Sequence, residues 1–192
     1  PVVVYLRQYA AGQIELMHTT KQTVIFSAAA ILDRRAKQFD RVTLYDSVSN
    51  SFADLTGQAS SATAADIVHS ASASLVKAVG DSLYLGMSKK FRYVRFLLST
   101  LGVGGTVSYS YWEGNVWKAF VPQSGSYNLN ASDKKLILWT DFDSVPSDWQ
   151  QNPVNDNVNF WVRLKVDTVF TTAPVGSQIT ALSDLLAISV RR

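Results

Sequence analysis

Apolar and polar side chains alternate with a period of two in two aromatic-rich stretches of the chain. These stretches are TVSYSYW, residues 106–112, and NFWVRLKV, residues 159–166. Successive side chains of a strand point to opposite faces of a sheet, so both stretches predict strands with one face in a core. The core face is expected to carry Val107, Tyr109, Tyr111, Phe160, Val162, Leu164 and Val166. The opposite face is expected to carry aromatic and basic side chains, namely Trp112, Trp161, Arg163 and Lys165.

Further short β-like runs, separated by turn residues, extend this pattern over most of the chain. They are RVTLYD, SLVKAV, SLYLG, RYVRFLLST, VWKAFV, KKLILW and LLAISV. Residues 113–115 form a tight connection after TVSYSYW, so Trp117 is expected on the returning strand. Many short strands at regular spacing are typical of antiparallel sandwiches. The sequence therefore predicts a mainly β protein, with an antiparallel, jelly-roll-like β-sandwich over residues 41–192.

The first 40 residues predict an N-terminal arm with strands and a short helix. PVVVYLRQ, QIELM and QTVIF are strand candidates, and residues 27–40 are the best helical candidate because they are Ala-rich and begin with the capping residue Ser27. A free apolar terminus exposes an aggregation-prone edge, whereas a strand added to a neighbour is paired and buried. The arm is therefore expected to bind a partner through Val2, Val3, Val4, Tyr5 and Leu6.

Composition narrows the classes of function. The 192 residues carry a net charge of +3 and include no cysteine, which excludes disulfides, thiolate nucleophiles and thiolate metal sites. Two basic clusters, residues 34–41 and 89–95, favour solvated faces or partner salt bridges over nucleic-acid binding. No apolar run reaches the roughly 20 residues of a membrane helix, and the N-terminus has no signal-peptide pattern. We therefore expect no direct nucleic-acid partner and no membrane partner.

Candidate catalytic residues are few. His18 and His69 lie outside any nucleophile elbow or paired-histidine metal motif. Asp141 and Asp143 would point the same way on an extended chain, which leaves a glycosidase pair or, with residues 155–157, a calcium site as alternatives. Loop aspartates more often serve turns and caps. We therefore expect no enzyme activity, no catalytic residue, no metal site and no cofactor.

The five tryptophans have two alternative roles. They either fill the core of the sandwich or form a surface on which sugars stack. Bulky aromatic side chains commonly fill such cores, and an indole also packs well against the apolar face of a sugar. Trp149, in the PSDW loop, is expected to be the most exposed of the five. It is the leading candidate for glycan contact, followed by Trp112 and Trp161.

Several motifs follow one another between about residues 41 and 175. They are Tyr84–Gly86, Phe91–Leu98, the hairpin Tyr111–Trp117, Pro146–Trp149, Phe160–Leu164 and Thr172–Pro174. In this order they make the chain resemble a β-sandwich domain of tailed-bacteriophage virion proteins. Phe160 replaces the usual Tyr, and basic residues around Lys90 and Arg92 replace the usual acidic residue. The resemblance therefore implies a fold and a setting without implying a shared ligand.

The resemblance implies a non-enzymatic structural role in a virion. The expected function is that of a capsid decoration, or cement, protein, which binds the major capsid protein and stabilises the phage head shell. Its expected location is the capsid surface of the virion, after synthesis in the host cytoplasm. A tail- or head-attached module that binds host glycans is the alternative. Capsid symmetry favours a homotrimer seated at local three-fold positions.

Overall fold

The computed structural model describes residues 4–10, 13–18, 36–60, 75–140 and 143–182. The chain divides into two compact units. The first comprises Pro1–Ala36 with Ser183–Arg192, and the second comprises Lys37–Leu182. In the described residues no helix is long and apolar enough to cross a membrane.

The first unit contains an antiparallel hairpin. Strand β1, Val4–Ala10, pairs with β2, Gln13–His18, and places Leu6 opposite Leu16. The strand predictions for these two stretches are confirmed, while Val2 and Val3 lie outside the described residues. One edge of β1 is thus paired within the chain.

The second unit contains a large antiparallel sheet. From edge to edge its strands are β5 (Ser51–Asp54), β4 (Arg41–Asp46), β6 (Ser82–Met87), β12 (Asn157–Thr168), β8 (Thr106–Trp112) and β9 (Trp117–Phe120). A further strand, β11 (Gln151–Val154), pairs with the beginning of β12. Since β6 and β11 both pair with β12 at Phe160, they occupy opposite edges of it. Strand β11 therefore continues the line of β8.

A smaller sheet completes the architecture. Its strand order is β10 (Lys134–Ile137), β7 (Tyr93–Thr100), β13 (Val175–Leu182) and β3 (Ala36–Lys37). A short helix, α1 (Thr56–Ser60), contacts β13 and β4. Consecutive strands β6, β7 and β8 alternate between the two sheets, which stacks the sheets face to face.

The core between the sheets is built from alternate positions of their strands. The large sheet contributes Leu44, Leu83, Leu85, Val107, Tyr109, Tyr111, Val162, Leu164 and Val166, and the smaller one contributes Val94, Phe96, Leu98, Leu136, Ile179 and Ala181. Apolar burial of this extent is the main favourable term for such a fold. The mainly β, sandwich-like prediction is confirmed, as are the core positions expected in β8 and β12.

Several local predictions differ from the structure. Ala36–Lys37, at the end of the predicted helix, forms a strand of the smaller sheet, so the helix prediction is wrong there. Residues 27–35 lie outside the described part of the chain. SLVKAV is not a strand, because the Asp81 carboxylate accepts hydrogen bonds from the backbone N–H groups of Lys77 and Ala78 and folds this segment into a turn. LLAISV and QTVIF lie outside the described residues.

Candidate functional site

The outward positions of the large sheet form a surface rich in aromatic side chains. We call it the outer aromatic face and define it as Tyr45, Phe52, Tyr84, Trp112, Trp117, Trp161 and Arg163. Each aromatic ring of this face contacts at least one other ring of the face. The distance between ring centroids ranges from 4.9 Å for Tyr45 and Phe52 to 6.3 Å for Phe52 and Tyr84. Tyr84, Trp161 and Val154 form the buried floor of this face, against which Tyr45 and Trp117 pack.

Trp161 is the anchor of the floor. Its side chain is fully buried, and its indole N–H donates to the carbonyl oxygen of Asn152 at 2.7 Å. The ring lies against Gly86 on the neighbouring strand, where an added Cβ would stand only 2.4 Å from Trp161 Cζ3. The glycine of the Tyr84–Gly86 motif therefore leaves the space in which the indole lies.

The β8–β9 hairpin supplies two partly exposed indoles. Trp112 and Trp117 pair directly across it, with ring centroids 5.6 Å apart. Gly114 in the connecting turn has a φ of 112°, a conformation that a side chain disfavours, and the N–H of Glu113 donates to the carbonyl of Val116 to close the turn. The turn thus fixes the register that puts both indoles on the outer face.

Arg163 lies in the middle of the face, opposite Tyr84 on one side and Ser110 on the other. Its guanidinium carbon is 4.6 Å from the centroid of the Trp117 ring, and its Nε–H donates to Ser110 Oγ at 3.0 Å. Stacking and this single hydrogen bond hold the guanidinium plane in place. Within the described part of the chain, its two terminal nitrogens make no hydrogen bond and no ion pair.

Small hydroxyl side chains and one lysine surround Arg163. Ser82 and Ser108 flank Lys165 in the next row of the sheet, and Lys165 is exposed with no ion pair among the described residues. Asp54 lies 3.4 Å from Arg41, and Asp167, two residues beyond Lys165 on β12, accepts a hydrogen bond from Ser108 at 3.1 Å. The centre of the outer aromatic face thus carries the two cations Arg163 and Lys165.

Trp149 does not belong to this surface, and the prediction that it is exposed is wrong. Its side chain is 1% exposed, and its indole N–H donates to the carbonyl oxygen of Trp161 at 3.1 Å. The ring packs in the core against Phe91, Tyr111, Trp139 and Phe160. Trp161 is also buried, so Trp112 is the exposed member of the three tryptophans expected to contact glycans. Trp117, which the sequence assigned to the returning strand but not to a site, joins it.

The PSDW loop is fixed by charge as well as by its tryptophan. Lys118 Nζ lies 2.6 Å from Asp148 and 3.2 Å from Glu113, and the Tyr111 hydroxyl donates to Asp148 at 3.0 Å. The hydrogen bond with Asp148 raises the pKa of Lys118, and the same bond lowers the pKa of Asp148. Burial raises the pKa of Tyr111. Together these contacts form a clamp that holds the PSDW loop against the β8–β9 hairpin.

The basic cluster of residues 89–95 serves the fold. Lys90 donates to the carbonyl oxygen of Pro146 at 2.6 Å, Arg92 to that of Thr140 at 2.7 Å, and Arg95 pairs with Asp133 at 2.6 Å. These three side chains of the cluster thus make contacts within the sandwich.

The histidine and aspartate candidates for catalysis or metal binding are not brought together among the described residues. Asp141 and His69 lie outside those residues, and His18 is on β2 of the first unit. Asn155 and Asp156 both have positive φ and form the two-residue turn between β11 and β12. Among the described residues no group of three or more His, Asp or Glu side chains is arranged to hold a metal ion.

Comparisons of the chain with protein-family models, with curated proteins and with solved structures found no significant match in any of the three.

Proposed function

We propose that the chain is a non-enzymatic structural protein of a tailed-bacteriophage virion, which decorates the capsid and binds its major capsid protein. The observation that carries this proposal is the division into a small unit built on an N-terminal hairpin and a separate sandwich. Such a division suits a protein that attaches through one part and displays the other. The order of motifs in the sandwich supports the virion setting.

The hairpin supplies the attachment in this proposal. The edge of β1 that β2 does not occupy carries backbone groups that a strand of a neighbouring chain pairs by β-addition. Three copies around a local three-fold axis of the shell then form a homotrimer with equivalent contacts.

Deletion of residues 2–8 tests this proposal. We expect the truncated chain to keep a folded sandwich, measured by far-ultraviolet circular dichroism, and to lose its place on purified particles, measured by gel densitometry. Full-length protein at hundreds of copies per particle supports decoration of the shell, whereas a few to a dozen copies would place it on the tail and contradict the proposal. Full occupancy by the truncated chain would also contradict it.

A second candidate function is binding of host glycans by the sandwich. The observation that favours it is the pair of partly exposed indoles on the outer aromatic face, beside a guanidinium held in a fixed plane. Indole rings stack on the apolar faces of sugar rings. This function and shell attachment use different units of the molecule.

Trp112→Ala and Trp117→Ala test this second function against Val103→Ala, a change at a side chain that is 54% exposed and lies outside the outer aromatic face. We expect both tryptophan variants to lose binding of particles to host cells at unchanged copy number, while the valine variant binds normally. Normal adhesion by all three variants would reject a glycan site on this face.

A further inference from the structure

We propose that the outer aromatic face binds a carboxylated saccharide, with the carboxylate held by Arg163 and the sugar stacked on the indoles of the β8–β9 hairpin. This inference rests on the second candidate function and specifies its ligand class. Its structural basis is a guanidinium that is held by one ring contact and one hydrogen bond and keeps both terminal nitrogens without a partner among the described residues.

Two contacts fix the orientation of the Arg163 guanidinium. The Trp117 ring covers one face of the guanidinium at 4.6 Å, and Ser110 Oγ takes the Nε–H at 3.0 Å. The two terminal nitrogens are not buried, and among the described residues no acceptor reaches them. A guanidinium with its Nε already bonded offers its paired terminal N–H groups as the remaining fork, which matches the geometry of a carboxylate.

The surrounding charges favour an anion at this position. Lys165, two residues along the same strand, adds a second positive charge and makes no ion pair among the described residues. The Asp54 carboxylate is paired with Arg41, and the Asp167 carboxylate, which accepts a hydrogen bond from Ser108, lies beyond Lys165 on the same strand. A negative group at Arg163 is therefore closer to these two cations than to the Asp167 carboxylate.

The remaining surface favours a sugar over an acidic peptide. The groups around the fork that reach solvent are the two partly exposed indoles and the partly exposed Ser108, whereas Ser82 and Ser110 are buried. Indoles pack against the apolar face of a pyranose, and hydroxyl groups exchange hydrogen bonds with sugar hydroxyls. An acidic peptide would instead be expected to add to an open strand edge, which this face does not present.

The test measures binding of full-length protein to oligogalacturonate, to its methyl ester and to hexaglutamate by isothermal titration calorimetry. Sialyllactose and lactose give a second matched pair that differs by one acidic sugar. We expect at least tenfold weaker binding of the methyl ester than of oligogalacturonate, and of lactose than of sialyllactose. A charged hydrogen-bonded pair accounts for about tenfold to a hundredfold in affinity.

Three variants assign the effect to the fork. Arg163→Gln removes the charge, and Arg163→Lys keeps the charge but loses the planar fork; we expect both to weaken binding of the acidic probes about tenfold or more. Lys165→Gln changes an exposed side chain without a described partner and is expected to cost about twofold to fivefold. Lys134→Gln, on the smaller sheet, is the charge-matched control and should bind normally. Thermal unfolding midpoints report whether each variant is folded.

The outcomes distinguish a failure of carboxylate recognition by Arg163 from a failure of glycan binding as a whole. Equal binding of oligogalacturonate and its ester, or normal binding by folded Arg163→Lys and Arg163→Gln, overturns the carboxylate inference and leaves glycan binding standing. Tighter binding of hexaglutamate than of every saccharide overturns it in favour of a peptide ligand. Failure of every saccharide to bind overturns the glycan function itself.

Discussion

The aromatic cluster in the core and the outer aromatic face are made from the same residue types, yet they differ in how their polar groups are satisfied. In the inner cluster, Trp149 and Tyr109 are buried, and their indole N–H and hydroxyl donate to backbone carbonyls of Trp161 and Tyr127. In the outer cluster, Trp112, Trp117 and Arg163 are only partly buried, and the guanidinium has unused donors.

The difference arises because adjacent residues of one strand point to opposite faces of the sheet, one into the core and the other onto the outer aromatic face. Tyr111 and Trp112 are adjacent on β8, as are Phe160 and Trp161 on β12, and each pair divides between the core and the outer aromatic face. Complete satisfaction of polar groups marks a structural cluster, whereas a fixed but unpaired donor marks a surface that can bind. Mutations should therefore affect stability at the inner cluster and binding at the outer one.

Removal of the central inner indole should have the largest effect. Trp149→Ala leaves a cavity among four aromatic rings, and we expect it to lower the free energy of unfolding by about 3–5 kcal/mol, measured by urea denaturation. Trp112→Ala, at a partly exposed ring, is the matched control and should cost about 1–2 kcal/mol. Equal losses would remove the distinction between the two clusters.

A side chain at Gly86 should disturb the floor of the outer aromatic face. Gly86→Ala places a Cβ 2.4 Å from the Trp161 ring, so the ring must move, and we expect a loss of about 1–3 kcal/mol in unfolding free energy. Gly57→Ala, in α1 with no atom within 4 Å of the added Cβ, should be neutral or stabilising by up to about 1 kcal/mol. An unchanged free energy of unfolding for Gly86→Ala would contradict this prediction and show that the Trp161 ring moves at little cost.

Alkaline pH should weaken the inner cluster through its tyrosines. Burial raises the pKa of both Tyr109 and Tyr127 above the ordinary value of 10.0. A raised folded pKa gives stability that is complete below pH 10 and falls as the pH rises above it, because only the unfolded chain then ionises. Tyr109→Phe should lose about 1–2 kcal/mol at neutral pH and show a shallower alkaline decline in thermal midpoint. An unchanged alkaline slope would count against this explanation.

Acid pH should release the clamp on the PSDW loop, with the smallest effect of the four. The pKa of Asp148 lies below its ordinary value of 3.8, so its contribution is present above that pH and disappears as the pH falls through the folded pKa. Asp148→Asn should be slightly less stable than wild type at pH 7, and the difference in thermal midpoint should vanish in acid. Both side chains of the pair are largely solvated, so a large difference at pH 7 would contradict this account.

Periodicity predicted which residues of β8 and β12 face the core, because alternation reports the two faces of a strand directly. It did not predict the position of Trp149, because the loop at Pro146–Trp149 has no alternation and the burial of its indole depends on the Trp161 carbonyl and four distant rings. The pattern placed Arg163 on the outer aromatic face but not beside Trp117, since that contact depends on register between strands that are distant in the sequence. The alternation within one strand thus predicts which face a side chain is on. Which side chains meet on that face depends on how distant strands pair.

The fit of Trp161 over Gly86 also bears on how the sheet selects its strand alignment during folding. A slip of two residues between β6 and β12 would keep every side chain on its own face but set the indole over Tyr84 or Ser88, both of which carry a Cβ. Only the native alignment offers the indole a bare backbone. The glycine therefore disfavours misaligned sheets that the hydrophobic pattern alone would permit. It does so between β6 and β12, the two strands in the middle of the large sheet.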